Sequence, residues 1–293
     1  MPSPVFGRLL TAMITPFNAD GSVNLAEAKR LAAFLVDDCG HDGLVINGTT
    51  GEAPTTSDAE KADLIAAVKE AVGGRAAVVA GVGTFNTAHT IELAKQAQAS
   101  GADGLLVVTP YYSNPPQDAI AAHFLTVAEA SNLPIAIYDI PHRAGRPVET
   151  ETLIRVAQHP RIVAVKDAKS NVVASSQVMA ACDLAYYSGD DAYTLPLMAV
   201  GGVGVIGTST HFTGLRTKAM IEAFVRGDTA GALALHRELL PVFTGVFATQ
   251  GVMLVKAGLA SRGFAPGSVR APLLPANAEQ TATFVALLDA ANL

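Results

Sequence analysis

Short apolar runs alternate along the chain with longer stretches of helical periodicity. Eight runs rich in Val, Ile and Leu lie at 10–16, 43–48, 77–83, 104–110, 134–141, 162–168, 184–188 and 202–209. Runs of this length, bounded by turn residues, are typical of buried β-strands. Between them, Ala-rich stretches predict helices that include 25–39, 59–72, 88–100, 117–130, 152–159 and 215–226. The pattern predicts a strand followed by a helix, repeated along most of the chain.

The repeat has a nearly constant length. Gly48, Gly81, Thr109, Tyr138 and Lys166 lie at or near the ends of runs two to six. These ends are about 30 positions apart, and eight such units predict a (β/α)8 TIM barrel over residues 1–228. A doubly wound open sheet is the alternative, but it would have fewer strands and a cofactor crevice. After residue 227 the alternation stops, and helical patterns at 229–247, 249–260 and 278–291 predict a small C-terminal helical domain over 229–293.

Composition narrows the class of protein. Half of the 293 residues are hydrophobic, and 20 Lys and Arg against 26 Asp and Glu give a net charge of -6. This balance disfavours an extended basic surface for nucleic acid or anionic lipid, so small molecules are the expected partners. No signal peptide is visible, and no apolar run has the ~18 residues of a membrane span. We therefore expect a cytoplasmic protein.

Several features that suggest a metal or cofactor have simpler explanations. Cys39 and Cys182 form no CxxC pair and are expected to be reduced thiols, and the seven histidines show no metal-ligand spacing. Residues 202–207 match GxGxxG, but they coincide with the eighth run instead of following a strand. Asp190 and Asp191 lack a third carboxylate nearby, so Asp190 is expected to be a hydrogen-bonding turn residue. The sequence predicts neither a metal nor a cofactor.

Polar residues collect where the predicted strands end. In a TIM barrel the catalytic residues lie at the carboxyl ends of the strands. The residues at these positions are Thr49, Thr50, Glu52, Tyr111, Tyr112, Tyr138, Lys166, Gly189, Asp190 and Asp191. Arg143 follows the fifth run, where it would clamp a carboxylate in bidentate fashion or remain a solvated surface arginine. These residues are candidates for one site at one end of the barrel.

Lys166 is the most informative candidate. It ends an otherwise apolar run that begins at Ile162, and an unpaired lysine is almost never fully buried. Strand side chains alternate, so Lys166 and Ala164 share one face while Asp167 points to the other. If Lys166 faces the barrel interior, burial favours the neutral amine, which can attack a ketone to form an imine. The alternative is a lysine that reaches from the strand end to pair with a carboxylate.

Tyr138 and a pair of threonines would complete this chemistry. Tyr138 lies one repeat before Lys166, so the two are expected on adjacent strands about 4.8 Å apart. A phenol organised by a hydroxyl such as that of Thr50 can transfer protons, whereas a tyrosine that only caps the core cannot. The segment 48–52, Gly-Thr-Thr-Gly-Glu, places two hydroxyls and two glycines after a strand. Such a segment favours binding of a small carboxylate, although a structural turn would also explain the glycines.

Five motifs together resemble the dihydrodipicolinate synthase and N-acetylneuraminate lyase family of class I, Schiff-base aldolases. They are Gly48-Thr-Thr-Gly-Glu52, Thr109-Pro-Tyr-Tyr112, Tyr138-Asp-Ile-Pro141, Val165-Lys-Asp167 and Ser188-Gly-Asp-Asp191, in the family's order and spacing. The resemblance covers nearly the whole chain. It implies that Lys166 forms an imine with pyruvate and that Tyr138 donates and accepts the proton.

The resemblance also implies roles for the other candidates. Thr50, Tyr138 and Tyr112 would form a proton relay, with Tyr112 contributed across a dimer interface and Thr49 in support. Thr50 and the backbone of Ile206 would hold pyruvate, Gly189 would lie at the substrate site, and Arg143 would receive the carboxylate of L-aspartate 4-semialdehyde. Family members are typically homotetramers assembled from two tight dimers.

Within the family, the paired threonines and Arg143 favour the members that condense pyruvate with L-aspartate 4-semialdehyde in diaminopimelate and lysine biosynthesis. Sialic acid lyases usually carry Ser-Thr at the first pair and lack the arginine. Ala144 stands where the family usually has Thr, which removes one hydroxyl near the second substrate. The alternatives are a lyase for a 2-keto-3-deoxy sugar acid or N-acetylneuraminate, and a non-catalytic barrel that senses pyruvate.

Feedback by lysine is expected to be weak or absent. Lysine-inhibited members of the family carry His and Glu residues in a cleft at the dimer interface. This chain is expected to place Lys61 and His89 there. Two cationic or neutral side chains would repel an ammonium ligand or fail to hold it.

Overall fold

Eight parallel strands form a closed barrel in the computed structural model, which describes residues 3–293. The strands are β1 (Leu9–Ala12), β2 (Gly43–Ile46), β3 (Ala77–Gly81), β4 (Gly104–Val108), β5 (Ile135–Asp139), β6 (Ile162–Asp167), β7 (Ala185–Ser188) and β8 (Gly204–Gly207). Each strand pairs with the next, and β8 pairs with β1. The predicted (β/α)8 barrel is confirmed, and the open-sheet alternative was wrong.

Helices surround the barrel and continue beyond it. They are α1 (Leu25–Asp37), α2 (Asp58–Val72), α3 (Thr87–Ala99), α4 (Gln117–Glu129), α5 (Pro141–Ala144), α6 (Thr150–Val156), α7 (Val172–Ala181), α8 (Thr194–Ala199), α9 (Thr210–Val225), α10 (Thr229–Gly245), α11 (Gly251–Ser261) and α12 (Ala278–Ala290). Single turns of 3-10 helix lie at Ala53–Thr55 and Asp191–Tyr193. No helix within residues 3–293 is long and apolar enough to cross a membrane.

The largest difference from the predicted helices is the start of α9. The periodicity predicts this helix at 215–226, but it begins at Thr210. The eighth strand ends at Gly207, two residues before the end of the predicted run, so the helix can start earlier. The first turn buries Thr210, His211 and Thr213, which are polar. Hydrogen bonds satisfy them there: Thr210 Oγ1 lies 2.7 Å from Thr11 Oγ1, and His211 Nδ1 lies 2.8 Å from the Thr208 carbonyl. A pattern based on apolar spacing does not detect a turn buried in this way.

The core has two layers. Side chains that point into the barrel, such as those of Leu10, Val45 and Ile206, form one buried cluster. The alternate side chains pack against the helices in a second, larger cluster. Phe6 belongs to the inner cluster, and a Cβ at Gly104 would lie 2.5 Å from its ring. Gly104 therefore leaves room for the ring that fills one end of the barrel.

The last three helices pack on the barrel helices and on one another. Helix α10 contacts α9, and α12 contacts both α10 and α11. The division of the chain into domains at residues 228 and 229 stays a prediction. Cys39 and Cys182 are free thiols, as expected.

Candidate active site

A cavity of about 300 Å³ opens where the barrel strands end. Its lining brings together seven of the candidate residues: Thr49, Thr50, Tyr138, Arg143, Lys166, Gly189 and Asp190. They come from four different strand ends that are far apart in the sequence. Tyr112 and Ile206 do not line this cavity.

Lys166 and Tyr138 form the centre of the site. They are directly paired in the register between β5 and β6, and Lys166 Nζ lies 4.3 Å from the centroid of the Tyr138 ring. Both are buried, with 4% and 6% of their surfaces exposed. Asp167 points to the opposite face, where it accepts a hydrogen bond from the hydroxyl of Ser175 on α7. The predicted alternation of side chains along this strand is confirmed.

Burial makes the amine of Lys166 easier to deprotonate. Desolvation lowers the pKa of Lys166 from 10.5 to about 8; the negative charge of Asp191 opposes this shift, and the positive charge of Arg143 adds to it. A lysine with this pKa is neutral in about one molecule in ten at pH 7. The neutral amine is the form that attacks a carbonyl carbon.

Tyr138 remains a proton donor at neutral pH. Desolvation raises its pKa to about 12, while Arg143 and a hydrogen bond with the side chain of Thr49 act in the opposite direction. Thr49 lines the same cavity and is the neighbouring hydroxyl that acts on the pKa of Tyr138. Thr50 Oγ1 lies 3.4 Å from Thr208 Oγ1. The relay through Thr50 stays a prediction.

A buried carboxylate holds the turn after β8 in place. Asp191 Oδ2 accepts a hydrogen bond of 3.0 Å from the Thr208 N–H, and Asp191 Oδ1 accepts one of 2.7 Å from the Ser209 hydroxyl. Thr208 lines the cavity, and sequence reasoning missed it although it directly follows β8. Asp190 accepts a hydrogen bond from the Ala192 N–H at 2.9 Å, which confirms its turn role. Within residues 3–293 no three His, Cys, Asp or Glu side chains are grouped to hold a metal.

Arg143 reaches the cavity from the short helix α5, which begins with Pro141. Its Nη2 donates a hydrogen bond of 3.0 Å to Oε1 of Gln250. Gln250 lies in the segment between α10 and α11. This segment and the first turn of α11 contribute a group of lining residues: Phe247, Thr249, Gln250, Gly251 and Val252. No sequence signal indicated these residues, because they lie beyond the alternating repeat.

The other predicted residues occupy distinct places. Tyr112 is 96% exposed, and its φ of 69° lies in the left-handed region, which is uncommon for an aromatic residue. Ile206 is buried on β8 with its side chain in the inner cluster, so the role of its backbone stays a prediction. Gly189 packs closely against the end of the sixth strand. If residue 189 had a Cβ atom, that atom would lie 3.0 Å from the Cβ of Ala168 and 3.1 Å from the carbonyl oxygen of Asp167.

A second cavity of about 580 Å³ adjoins the first and shares Thr49, Tyr138, Arg143 and Gln250 with it. Lys61 and His89 also line it, together with Asp58, which sequence reasoning did not consider. Asp58 Oδ2 lies 2.8 Å from His89 Nε2, and its other carboxylate oxygen lies 3.8 Å from Lys61 Nζ. The one acid of this trio is therefore already engaged by both neighbours.

Comparison with known proteins decides the family. The profile of the Dihydrodipicolinate synthetase family matches residues 5–291. The chain belongs to this family. A 4-hydroxy-tetrahydrodipicolinate synthase from Cutibacterium acnes is 60% identical over 293 residues, which is 100% of both chains.

Solved structures of the family have the same fold. A lysine-bound DHDPS from Cyanidioschyzon merolae is 38% identical, with a TM-score of 0.97 over 99% of this chain and 100% of that one. A monomeric dihydrodipicolinate synthase variant is 31% identical, with a TM-score of 0.95 over 99% and 98%.

The glutamate of the Gly-Thr-Thr-Gly-Glu segment anchors the loop instead of lining the first cavity. Glu52 adopts a φ of 57°, and its Oε1 lies 2.7 Å from Nζ of Lys256 on α11, with both side chains buried. Its Oε2 accepts a hydrogen bond of 2.8 Å from the Arg270 N–H. The loop that carries Thr49 and Thr50 is thus attached to the C-terminal part of the chain.

Replacing Lys256 by Met should destabilise the protein, because it leaves the Glu52 carboxylate buried without its counter-charge. Breaking a buried ion pair from one side costs about 3–5 kcal/mol of unfolding free energy. Denaturant unfolding would measure the loss. The double variant Glu52→Gln, Lys256→Met should recover most of it, and equal losses in the single and double variants would contradict the ion-pair explanation.

Proposed function

We propose that the chain condenses pyruvate with L-aspartate 4-semialdehyde to form 4-hydroxy-tetrahydrodipicolinate, the activity for which its Cutibacterium acnes relative is named. The observation that carries this proposal is the buried amine of Lys166 beside the Tyr138 ring, with a pKa of about 8. This reaction belongs to diaminopimelate and lysine biosynthesis. The expected cytoplasmic location remains a prediction.

The first half of the reaction forms an imine. The neutral Lys166 amine attacks the ketone carbon of pyruvate, and the carbinolamine oxygen leaves as water after it receives a proton from Tyr138. The phenol suits this role because its pKa of about 12 keeps the proton in place until it is needed. Thr49 holds the phenol, and Thr50 and the backbone of Ile206 bind the pyruvate carboxylate.

The second half forms the carbon–carbon bond and releases the enzyme. The Tyr138 phenolate left by the first half takes a proton from the pyruvate methyl group, which converts the imine to an enamine. The enamine carbon then attacks the aldehyde of the second substrate, and Tyr138 returns the proton to the aldehyde oxygen, which becomes the hydroxyl of the product. Arg143 binds the carboxylate of that substrate at the mouth of the cavity. The amine of the semialdehyde then displaces Lys166 from the imine carbon, which closes the ring and frees the lysine.

Two other functions use part of the same geometry. A lyase for a 2-keto-3-deoxy sugar acid or N-acetylneuraminate would use Lys166 and Tyr138 but would not need an anion-binding arginine beside them. A silent pyruvate sensor would form the imine without condensing it. Arg143 at the cavity favours the synthase, because its charge lowers the pKa of both Lys166 and Tyr138 and so acts within the site.

Pyruvate and borohydride should together attach a stable adduct to Lys166, located by mass spectrometry of a digest. The trapping rate should increase with pH and level off above an apparent pKa of about 8, because only the neutral amine reacts. At pH 7 the rate should be about a tenth of its plateau.

The Lys166→Arg variant is the matched control, and it should form no adduct. A rate that continues to increase toward pH 10 would show that the amine is not desolvated as the structure indicates. Product formation from pyruvate and L-aspartate 4-semialdehyde by the unmodified protein separates the synthase from the sensor. Turnover of N-acetylneuraminate or a 2-keto-3-deoxy sugar acid instead would favour the lyase.

We also propose that the chain self-associates as a homotetramer of two tight dimers. The exposed aromatic side chains of Phe85 and Tyr112 support a dimer contact, since large exposed apolar groups often mark interfaces. Tyr111 packs edge-on against Phe85, with ring centroids 5.4 Å apart, so the two loops form one surface. In this assembly Tyr112 completes the relay of the partner's site.

Sedimentation equilibrium should give a mass about four times the 30.1 kDa of one chain. The Tyr112→Phe variant should keep this mass but lose at least about tenfold in kcat, because it keeps the ring and removes only the hydroxyl that transfers protons. A monomeric protein with full activity would contradict the proposal, and the solved monomeric variant shows that the fold permits such a state.

L-Lysine should inhibit weakly or not at all. The carboxylate of Asp58 is already engaged by His89 and Lys61, so an added ammonium group would have to compete with a lysine for it. Titration of activity with L-lysine would measure this, with Lys61→Glu as the comparison variant. Strong inhibition of the unmodified protein at micromolar lysine would contradict the prediction.

A further inference from the structure

Gln250 joins the C-terminal part of the chain to the substrate-binding arginine. Its Oε1 accepts two hydrogen bonds of 3.0 Å, one from Nη2 of Arg143 and one from the backbone N–H of Gly251. Both partners are donors, which fixes the amide oxygen as the atom between them. The side chain therefore has a defined orientation, attached to the first residue of α11 and directed at the guanidinium.

The contact places a neutral group beside Arg143. Within residues 3–293 Arg143 forms no ion pair, and the carboxamide of Gln250 is its one side-chain hydrogen-bond partner. A carboxamide orients a guanidinium without cancelling its charge, whereas a carboxylate would do both. The full positive charge of Arg143 stays available to an incoming anion at the mouth of the cavity.

We propose that Gln250 is a positioning residue that sets the preference of this site for an anionic aldehyde. It holds the Arg143 guanidinium over the cavity and keeps it free of a competing carboxylate. This inference rests on the proposed function, because it concerns the second substrate of that reaction. It also gives the segment between α10 and α11 a role in choosing the substrate, in addition to covering the site.

Substitution of Gln250 by Glu separates this role from a structural one. Glutamate has the same shape and can accept both hydrogen bonds, so a purely structural role would be kept or strengthened. If Gln250 has the proposed role, the new carboxylate pairs with the Arg143 guanidinium and competes with the carboxylate of the substrate for it. KM for L-aspartate 4-semialdehyde should then increase at least about tenfold, equivalent to about 1.4 kcal/mol.

Imine formation supplies the internal comparison. At the high-pH plateau, where the Lys166 amine is neutral whatever the charge beside Arg143, the rate of borohydride trapping with pyruvate should change less than about threefold in Gln250→Glu, because Lys166 and Tyr138 are not replaced. Gln158→Glu is the matched control, since it makes the same chemical change at an exposed residue after α6 and should leave KM unchanged. Thermal unfolding of each variant would verify that it is folded.

A double-mutant cycle tests whether Gln250 acts through Arg143. In the Arg143→Met background, Gln250→Glu should have little further effect on KM, because its target is gone. The inference is overturned if Gln250→Glu leaves KM unchanged, slows trapping by the same factor as turnover, or raises KM equally in both backgrounds. Absence of product from the unmodified protein would instead refute the proposed function, and this inference with it.

Discussion

The chemistry depends on burying one lysine, so that a useful fraction of its amine is uncharged at neutral pH. Lys166 loses most of its water because its side chain points into the barrel near the end of β6, and its pKa falls to about 8. Full burial of an ammonium would cost several kcal/mol, so the site opposes the desolvation only in part, through the buried carboxylate of Asp191. The closed barrel supplies the burial, the ring of Tyr138 lies 4.3 Å from the amine, and Asp167 points to the opposite face, where it accepts a hydrogen bond from Ser175. A more exposed lysine would stay protonated, and a more strongly paired one would not react.

Much of this arrangement was predictable from the sequence. Repeats of about 30 residues indicate the barrel. The rule that polar residues at strand ends share one site selects Lys166, Tyr138 and the two threonines from the sequence alone. The rule works because parallel strands bring their carboxyl ends to one face whatever the sequence between them. Thr208 obeys the same rule, but the apolar pattern does not reveal it, because the eighth run extends two residues beyond the end of β8 at Gly207.

Other parts could not be predicted, for identifiable physical reasons. Gln250 and its neighbours reach the cavity from helices outside the repeat, so neither periodicity nor strand ends point to them. Glu52 looked like a site residue, but its partner Lys256 is about 200 positions away, and no local pattern reveals a pair at that separation. The polar first turn of α9 is buried by hydrogen bonds, which apolar spacing does not detect. In each case the position of the side chain depends on a contact between segments that are far apart in the sequence.

The ion pair between Glu52 and Lys256 also bears on how such a chain can evolve. One partner lies on the barrel loop with the two threonines, and the other lies on a helix that continues from the segment carrying Gln250. If the barrel were recombined with an unrelated C-terminal segment, Glu52 would remain buried without the counter-charge of Lys256, and Arg143 would lose its hydrogen bond to Gln250. The two portions of the chain are therefore expected to be inherited together, and exchange of modules at this junction should be rare even though the helices lie at the end of the chain.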